Sequence, residues 1–284
     1  VAALITIISV MNGFEGELRN RLVALTAHAT VEGPAELMRD WRSVAKRALA
    51  APGTVGAAPF VDVQAMVGRS GYLQPAVLHG VDPAVEPGVS TVAEHLLEGK
   101  LEDLAPGSRR AIIGRALAWQ LGAQVGDEIT VMVPGRDLIS GAGRPALQTF
   151  TVAGVFEIGL QEHDGGLALV VLEDAAALGG GAALPTGSLE DAAELAGKGV
   201  APAGLRLRFD DVMAAPVRAA GVASALGDGF TVRDWSKEHA AYFRAIRIEK
   251  TMMSLILMLV VAVAAFNIVA ALVMVVNEKR SDIA

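Results

Sequence analysis

Glu162, His163 and Asp164 stand side by side and are residue types that can hold a metal. Three consecutive residues project in divergent directions, however, and Asp164-Gly165-Gly166 reads as a turn, so a shared ion is not expected there. The other histidines, His28, His79, His95 and His239, are scattered and read as structural or surface residues. Carboxylates are dispersed too, with no pair that spacing alone sets face to face for acid–base work. No G-x-x-x-x-G-K-S/T, H-E-x-x-H or G-x-S-x-G occurs. That removes a phosphate-cradling loop, a zinc protease and a serine hydrolase of the elbow type. Cysteine is absent, which excludes disulfides, thiolate catalysis and thiolate metal ligation. The expectation is a chain with no catalytic, cofactor or metal residues of its own.

One polar group sits where polarity is costly. Asn267 lies near the middle of Thr251 to Val276, a run without a charge in which only Thr251, Ser254 and Asn267 interrupt the apolar residues. At about 1.5 Å rise per residue, a helix over this run exceeds the roughly 30 Å bilayer core and can cross it with some tilt. An amide at that depth is expected to face another helix or a cavity and to hydrogen-bond there. The flanking charges, Arg244, Arg247 and Lys250 before and Lys279 and Arg280 after, leave orientation open.

The elements before this run must be something a membrane protein carries. The 284 residues are 52% hydrophobic with a net charge of −7, and an acidic chain without a basic patch gives no reason to expect nucleic acid as a partner. Val1 to Met11 is apolar but covers only about 16 Å as a helix, so it is expected to be the distal half of a first transmembrane helix. A signal peptide is the alternative, but neither a basic start nor a small-residue cleavage site is present. Val10, Phe14, Leu18, Leu22 and Leu25 then recur at helical spacing, which predicts a stalk. Gly13 and Gly16 leave a separate surface helix possible.

From His28 to His239 the pattern is α+β. A strand at Ala29–Glu32 precedes a helix opened by Gly33-Pro34, with Leu37, Trp41, Val44, Ala48 and Leu49 on its apolar face. Thr54–Phe60 and the alternation through Val67 predict strand, Gly68 to Gly71 a hairpin turn, and Tyr72–Val81 a return strand weakened by Pro75. A second strand–helix–strand unit appears at Leu205–Phe209, Met213–Leu226 and Phe230–Val232. Two such units far apart suggest one split module with a mainly β insertion between them. Within the insertion, Ala111–Ile113, Ile129–Val133, Thr149–Val155 and Leu167–Leu172 predict strands, and a short helix, Arg115–Leu121, stops at Gly122. Pro134 to Gln148 is longer than a hairpin needs and carries Leu138 and Ile139 near its tip, which suits either a projecting contact loop or an idle insertion.

Several stretches together resemble the lipoprotein-releasing ABC transporter permeases, the LolC/LolE family, related to MacB and FtsX-like permeases. They are SVMNGFEGELRNRL (Ser9 to Leu22), HGVDP (His79 to Pro83), the segment Ile112 to Pro134, FTVAGVFEIG (Phe150 to Gly159), Phe243 to Met274 and EKRSDIA (Glu278 to Ala284). The resemblance implies a multi-pass protein of the bacterial inner membrane whose transmembrane helices flank a large α+β periplasmic domain. On that reading residues 1–27 end a first membrane helix and stalk, 28–84 and 201–240 form the split module, and 85–200 form the β-rich inserted subdomain. Residues 241–277 are a stalk and second membrane helix, and 278–284 begin a cytoplasmic coupling segment. The start of helix one and all of helices three and four would lie outside the chain.

The resemblance also implies partners: a cytoplasmic ABC ATPase that hydrolyses ATP, a second permease copy or paralogue, a periplasmic lipoprotein chaperone, lipoprotein substrates and membrane lipid. Ile7, Met11 and Phe14, with Met258, Val261, Asn267 and Ile268, are the candidate lining of a lipid cavity. Pro134, Arg136, Leu138, Ile139, Arg144 and Pro145 are candidates for a hook that recruits the chaperone, and Glu278, Lys279, Arg280 and Asp282 for coupling to the ATPase. Two other functions stay open: a MacB-like mechanotransmission permease for drug, toxin or peptide export, and a membrane-tethered periplasmic binding or sensor module.

Overall fold

The computed structural model describes residues 27–134, 145–180, 201–235 and 240–283, together with Ser9 and Gly13. It divides into two units, Leu18–Trp235 on one side and Val1–Glu17 with Ser236–Ala284 on the other.

The larger unit begins with β1 (Ala29–Glu32), α1 (Ala35–Met38), α2 (Trp41–Leu49) and the long strand β2 (Thr54–Arg69). The single helix expected after Pro34 is two helices. Asp40 leaves helical geometry and its carboxylate accepts the Ser43 N–H at 3.4 Å, which restarts the helix at Trp41. The break shifts the buried face: Met38, Trp41, Val44, Ala45 and Ala48 are buried, while Leu37 and Leu49 are exposed.

Ser70 and Gly71, with φ of 52° and 88°, turn β2 into β3 (Tyr72–Val81). Positive φ at both central residues is what a tight hairpin with native strand twist requires. Pro75 leaves β3 unbroken. It lies opposite Met66, and the neighbour on the other side of β3 pairs only with Val77–Val81, so no N–H is missed.

Beyond β3 come β4 (Leu96–Glu98), β5 (Arg110–Gly114), α3 (Arg115–Leu121), β6 (Glu128–Val133), β7 (Ala146–Phe156), α4 (Gln161–Gly166), β8 (Leu167–Val171) and α5 (Leu172–Ala175). After them β9 (Gly204–Phe209), α6 (Ala215–Leu226) and β10 (Thr231–Asp234) return to the start. At the end of α3, Gly122 takes the left-handed conformation at φ 58° and donates to Trp119 O, while Ala123 donates to Ala118 O at 2.9 Å. This two-bond closure satisfies carbonyls the helix leaves open. Gly122→Ala is expected to cost about 1–2 kcal/mol, because an L residue there meets its own carbonyl. Thermal unfolding of the full chain in detergent measures it.

Two arrangements share β2. Its first half, Thr54–Phe60, pairs with β9, and β9, β1 and β10 complete an antiparallel sheet in the order β10-β1-β9-β2. With α2 and α6 between its strands, this is the ferredoxin-like split module. The second half of β2 belongs to a closed ring. β2 pairs β3, β3 pairs β8, β8 pairs β5, β5 pairs β7, β7 pairs β6, and β6 returns to β2 at Met66–Gly68. Val61, Val63, Ala65 and Val67 belong to one buried cluster with Leu78, Ile113, Ile129, Val131, Phe150, Val152 and Val170. Closure of the ring removes free edges along those strands.

In the smaller unit, α7 (Ala240–Ile283) is one continuous helix. Its segment Thr251–Val276, 26 residues with none buried, is long and apolar enough to cross a membrane.

Candidate functional site

Helical geometry separates the residues that the lipid-cavity reading had grouped. At about 100° per residue, Met258, Val261 and Ile268 fall within about 80° of one another, whereas Asn267 lies about 180° from Met258. All four are exposed on α7. The three apolar residues therefore form one stripe, and Asn267 lies on another side of the helix. Ile7, Met11 and Phe14 lie outside the described residues. Glu278, Lys279, Arg280 and Asp282 belong to the same helix, which runs without a break through Ile283.

The long loop leaves the ring from a closed base. Val133 and Ala146 are register partners, so Pro134 and Pro145 depart from adjacent strand ends. Arg136, Leu138, Ile139 and Arg144 lie outside the described residues. Beside the base runs a feature that the sequence pattern concealed. Pro75, Met66, Met132 and Leu147 are successive register partners on β3, β2, β6 and β7. They alternate with the core residues Ala76, Ala65, Val67 and Val131, so this row points outward. Leu147 is 62% exposed, and Leu73 on the same face is 51% exposed. An apolar row on the outer face of a sheet is a surface suited to contact rather than to water.

Charge is used structurally in this domain. Glu86, in a 3-10 turn, pairs with Arg206 of β9, and both side chains are nearly inaccessible. Asp62 and His79 are cross-strand partners joined through Nδ1, and His79 stacks on Phe60 at 6.1 Å. Burial by itself would raise the Asp62 pKa, but the His79 charge and hydrogen bond, aided by Arg206, outweigh it and hold the carboxyl below 3.8. Asp164-Gly165-Gly166, expected as a turn, is the second half of the short helix α4. Asp164 points inward, where its carboxylate accepts the Ile158 and Gly159 N–H groups at 2.8 and 2.9 Å. His95 Nδ1 lies 2.9 Å from the Thr91 carbonyl, and His239 lies outside the described residues. Asp174, fully buried at the start of α5, accepts the Gly107 N–H at 2.8 Å and has a pKa raised to about 6. Burial is the main cause, opposed by N–H donors from Gly107 and Arg109.

The MacB-like periplasmic core domain family matches residues 1–178 of this chain. A lipoprotein-releasing system transmembrane protein LolC from Xylella fastidiosa (strain Temecula1) is 35% identical over 284 residues, covering 100% of this chain and 64% of the relative. The LolC of Neisseria meningitidis serogroup B is 37% identical over 285 residues, covering 100% and 65%. The chain thus spans just under two thirds of the length of these curated relatives. Among solved structures, the periplasmic region of MacB from Actinobacillus actinomycetemcomitans is similar, with a TM-score of 0.42 and 13% identity over 77% of this chain and 94% of that one. The chain is that of a membrane protein with an α+β periplasmic domain, and it belongs to the MacB-like periplasmic core domain family.

Proposed function

We propose that this chain is the permease part of an ATP-driven complex of the inner membrane that extracts lipoproteins and passes them to a periplasmic chaperone. One observation carries the reading: alignments to LolC proteins at 35–37% identity cover the whole of this chain. The physics of the task fits the residues. A lipid anchor is held in the bilayer by about 0.8 kcal/mol per buried methylene, far beyond thermal release. The Met258–Val261–Ile268 stripe, with Ile7, Met11 and Phe14 of the first helix, gives acyl chains an apolar lining inside the membrane. Glu278, Lys279, Arg280 and Asp282 engage a separate cytoplasmic ATPase, and a second permease copy or paralogue closes the cavity. The loop from Pro134 to Pro145, with the apolar row Pro75–Met66–Met132–Leu147 beside its base, receives the chaperone. This chain moves with hydrolysis and contributes no residue to it.

Reconstitution tests the proposal. The complete permease, its ATPase and a lipoprotein in proteoliposomes release the lipoprotein only when ATP and the chaperone are both present. Absence of release sinks it. Met11→Asp is expected to block release while basal ATP hydrolysis continues, and retained release removes Met11 from the cavity. The match of residues 1–178 to the MacB-like core domain favours a second reading, a permease that drives a periplasmic export machine. ATP-dependent export without lipoprotein release would select that one.

A further inference from the structure

The start of β1 and the end of β10, the first and last strands of the larger unit, meet in one small cluster. His28, which precedes β1, donates its N–H to Leu207 O at 2.8 Å, and its carbonyl accepts the N–H of Trp235, which follows β10, at 3.1 Å. The imidazole Nδ1 of His28 accepts the Phe209 N–H at 3.0 Å, and the two rings lie 6.3 Å apart. The Trp235 indole donates to Val212 O at 2.9 Å and is 7% exposed. One rung inward, Ala29 is the register partner of both Asp234 and Leu207.

The direction of the strands gives this cluster its mechanical meaning. β1 and β10 are antiparallel and only four residues long. The chain joins both at the same end, so tension on the two connections opens the pair one rung at a time instead of shearing all rungs together. The bonds that matter under such a load are those at the first rung, and here they reach out of the ladder to the end of β9. We propose that His28 and Trp235 form a clasp that fastens both connections to the Phe209–Val212 segment, so that displacement of either is carried into the sheet instead of peeling β1 from β10. What pulls on the clasp rests on the function proposed above; the clasp itself does not.

Nδ1 accepts a hydrogen bond only when unprotonated. Burial, then the nearby Arg208 charge on β9, lowers the His28 pKa and favours the neutral ring, while the Phe209 backbone contact and Asp211 beyond β9 oppose this.

Hydrogen exchange on the full chain in lipid nanodiscs tests the clasp. In the double variant His28→Ala with Trp235→Phe, β1 and β10 amides are expected to exchange about tenfold faster, while those of β6 and β7 keep wild-type rates. His28→Asn, whose Oδ1 can accept the Phe209 N–H, should leave β1 and β10 protected. Unchanged β1 and β10 exchange in the double variant, or equal acceleration of every strand, overturns the clasp. In the reconstituted complex, the double variant should hydrolyse ATP but release less lipoprotein per ATP, and an unchanged ratio counts against it. If the wild-type complex releases nothing, the proposed function has failed, and exchange alone decides the clasp.

Discussion

Glu86→Ala is expected to lower the unfolding free energy of the periplasmic domain by about 3–5 kcal/mol, a large part of the 5–15 kcal/mol typical of a folded domain. Arg206 is the reason. It sits on β9, a central strand, opposite Thr30 on one side and Ala58 on the other. Among the described residues its Nε has no hydrogen-bond partner. Glu86 is the carboxylate paired with its guanidinium, and both side chains are buried. Removing Glu86 takes away the hydrogen-bonded carboxylate of a buried guanidinium and leaves Asp62, which feels its charge, as the remaining acidic neighbour. The 3-10 turn carrying Glu86 cannot simply settle inward either, because a Cβ on Gly56 would already lie 2.1 Å from Gly88 O. The double replacement Glu86→Leu with Arg206→Met removes both charges and should recover most of the loss, since a buried pair is worth little more than a well-packed apolar one. Thermal unfolding of the three proteins in detergent compares them. A single variant as stable as wild type would show that Arg206 finds another partner.

The second large effect is a pH dependence of opposite hand to ordinary acid denaturation. Asp174 has a folded-state pKa of about 6 against 3.8 for a free carboxyl. The folded state therefore holds this proton more tightly than the unfolded one. The stability that it contributes is fully present below about pH 4 and is lost as pH rises through about 6. The gap corresponds to about 3 kcal/mol, an order-of-magnitude figure. Asp174→Asn keeps an oxygen for the Gly107 N–H but carries no charge. It is expected to match wild type near pH 4 and to exceed it by about 1–3 kcal/mol at pH 8. Melting temperatures of both proteins across that range give the answer, and parallel curves would mean that Asp174 does not titrate there.

These two sites also mark where sequence reading stops. Gly122 as a helix stop, a hairpin turn within Gly68–Gly71 and the alternation of β2 are local signals, so neighbouring residues declare them, although β2 runs on through Arg69 and only Ser70 and Gly71 turn. Glu86 and Arg206 lie 120 positions apart, and nothing near either one predicts the other. The ring was hidden for the same reason. It closes because β6 returns to β2 and β8 runs parallel to β3, pairings that depend on the three-dimensional path alone. The apolar row beside the loop is the sharpest case. The alternation of β2 already sets Met66 on the outer face, but only the register brings it together with Pro75, Met132 and Leu147 in one row. The Asp40 break misled the helix assignment because an N-cap inside an apolar pattern looks like one more polar position. The apolar run of α7 was legible without the structure, because its uncharged length exceeds the thickness of the bilayer core.

The 16 residues of β2 carry one last implication. A module and a barrel joined by a loop would each turn about the joint, and motion put into one would be absorbed there. Here the same backbone is a wall of both, pairing with β9 along its first half and with β3 and β6 along its second. At Phe60 the strand is held on both sides, by Gly204 of β9 and by Val81 of β3, so it cannot bend where the module hands over to the ring without loosening both ladders. A tilt imposed on the module half is therefore carried into the ring, on whose β6 and β7 the long loop is mounted.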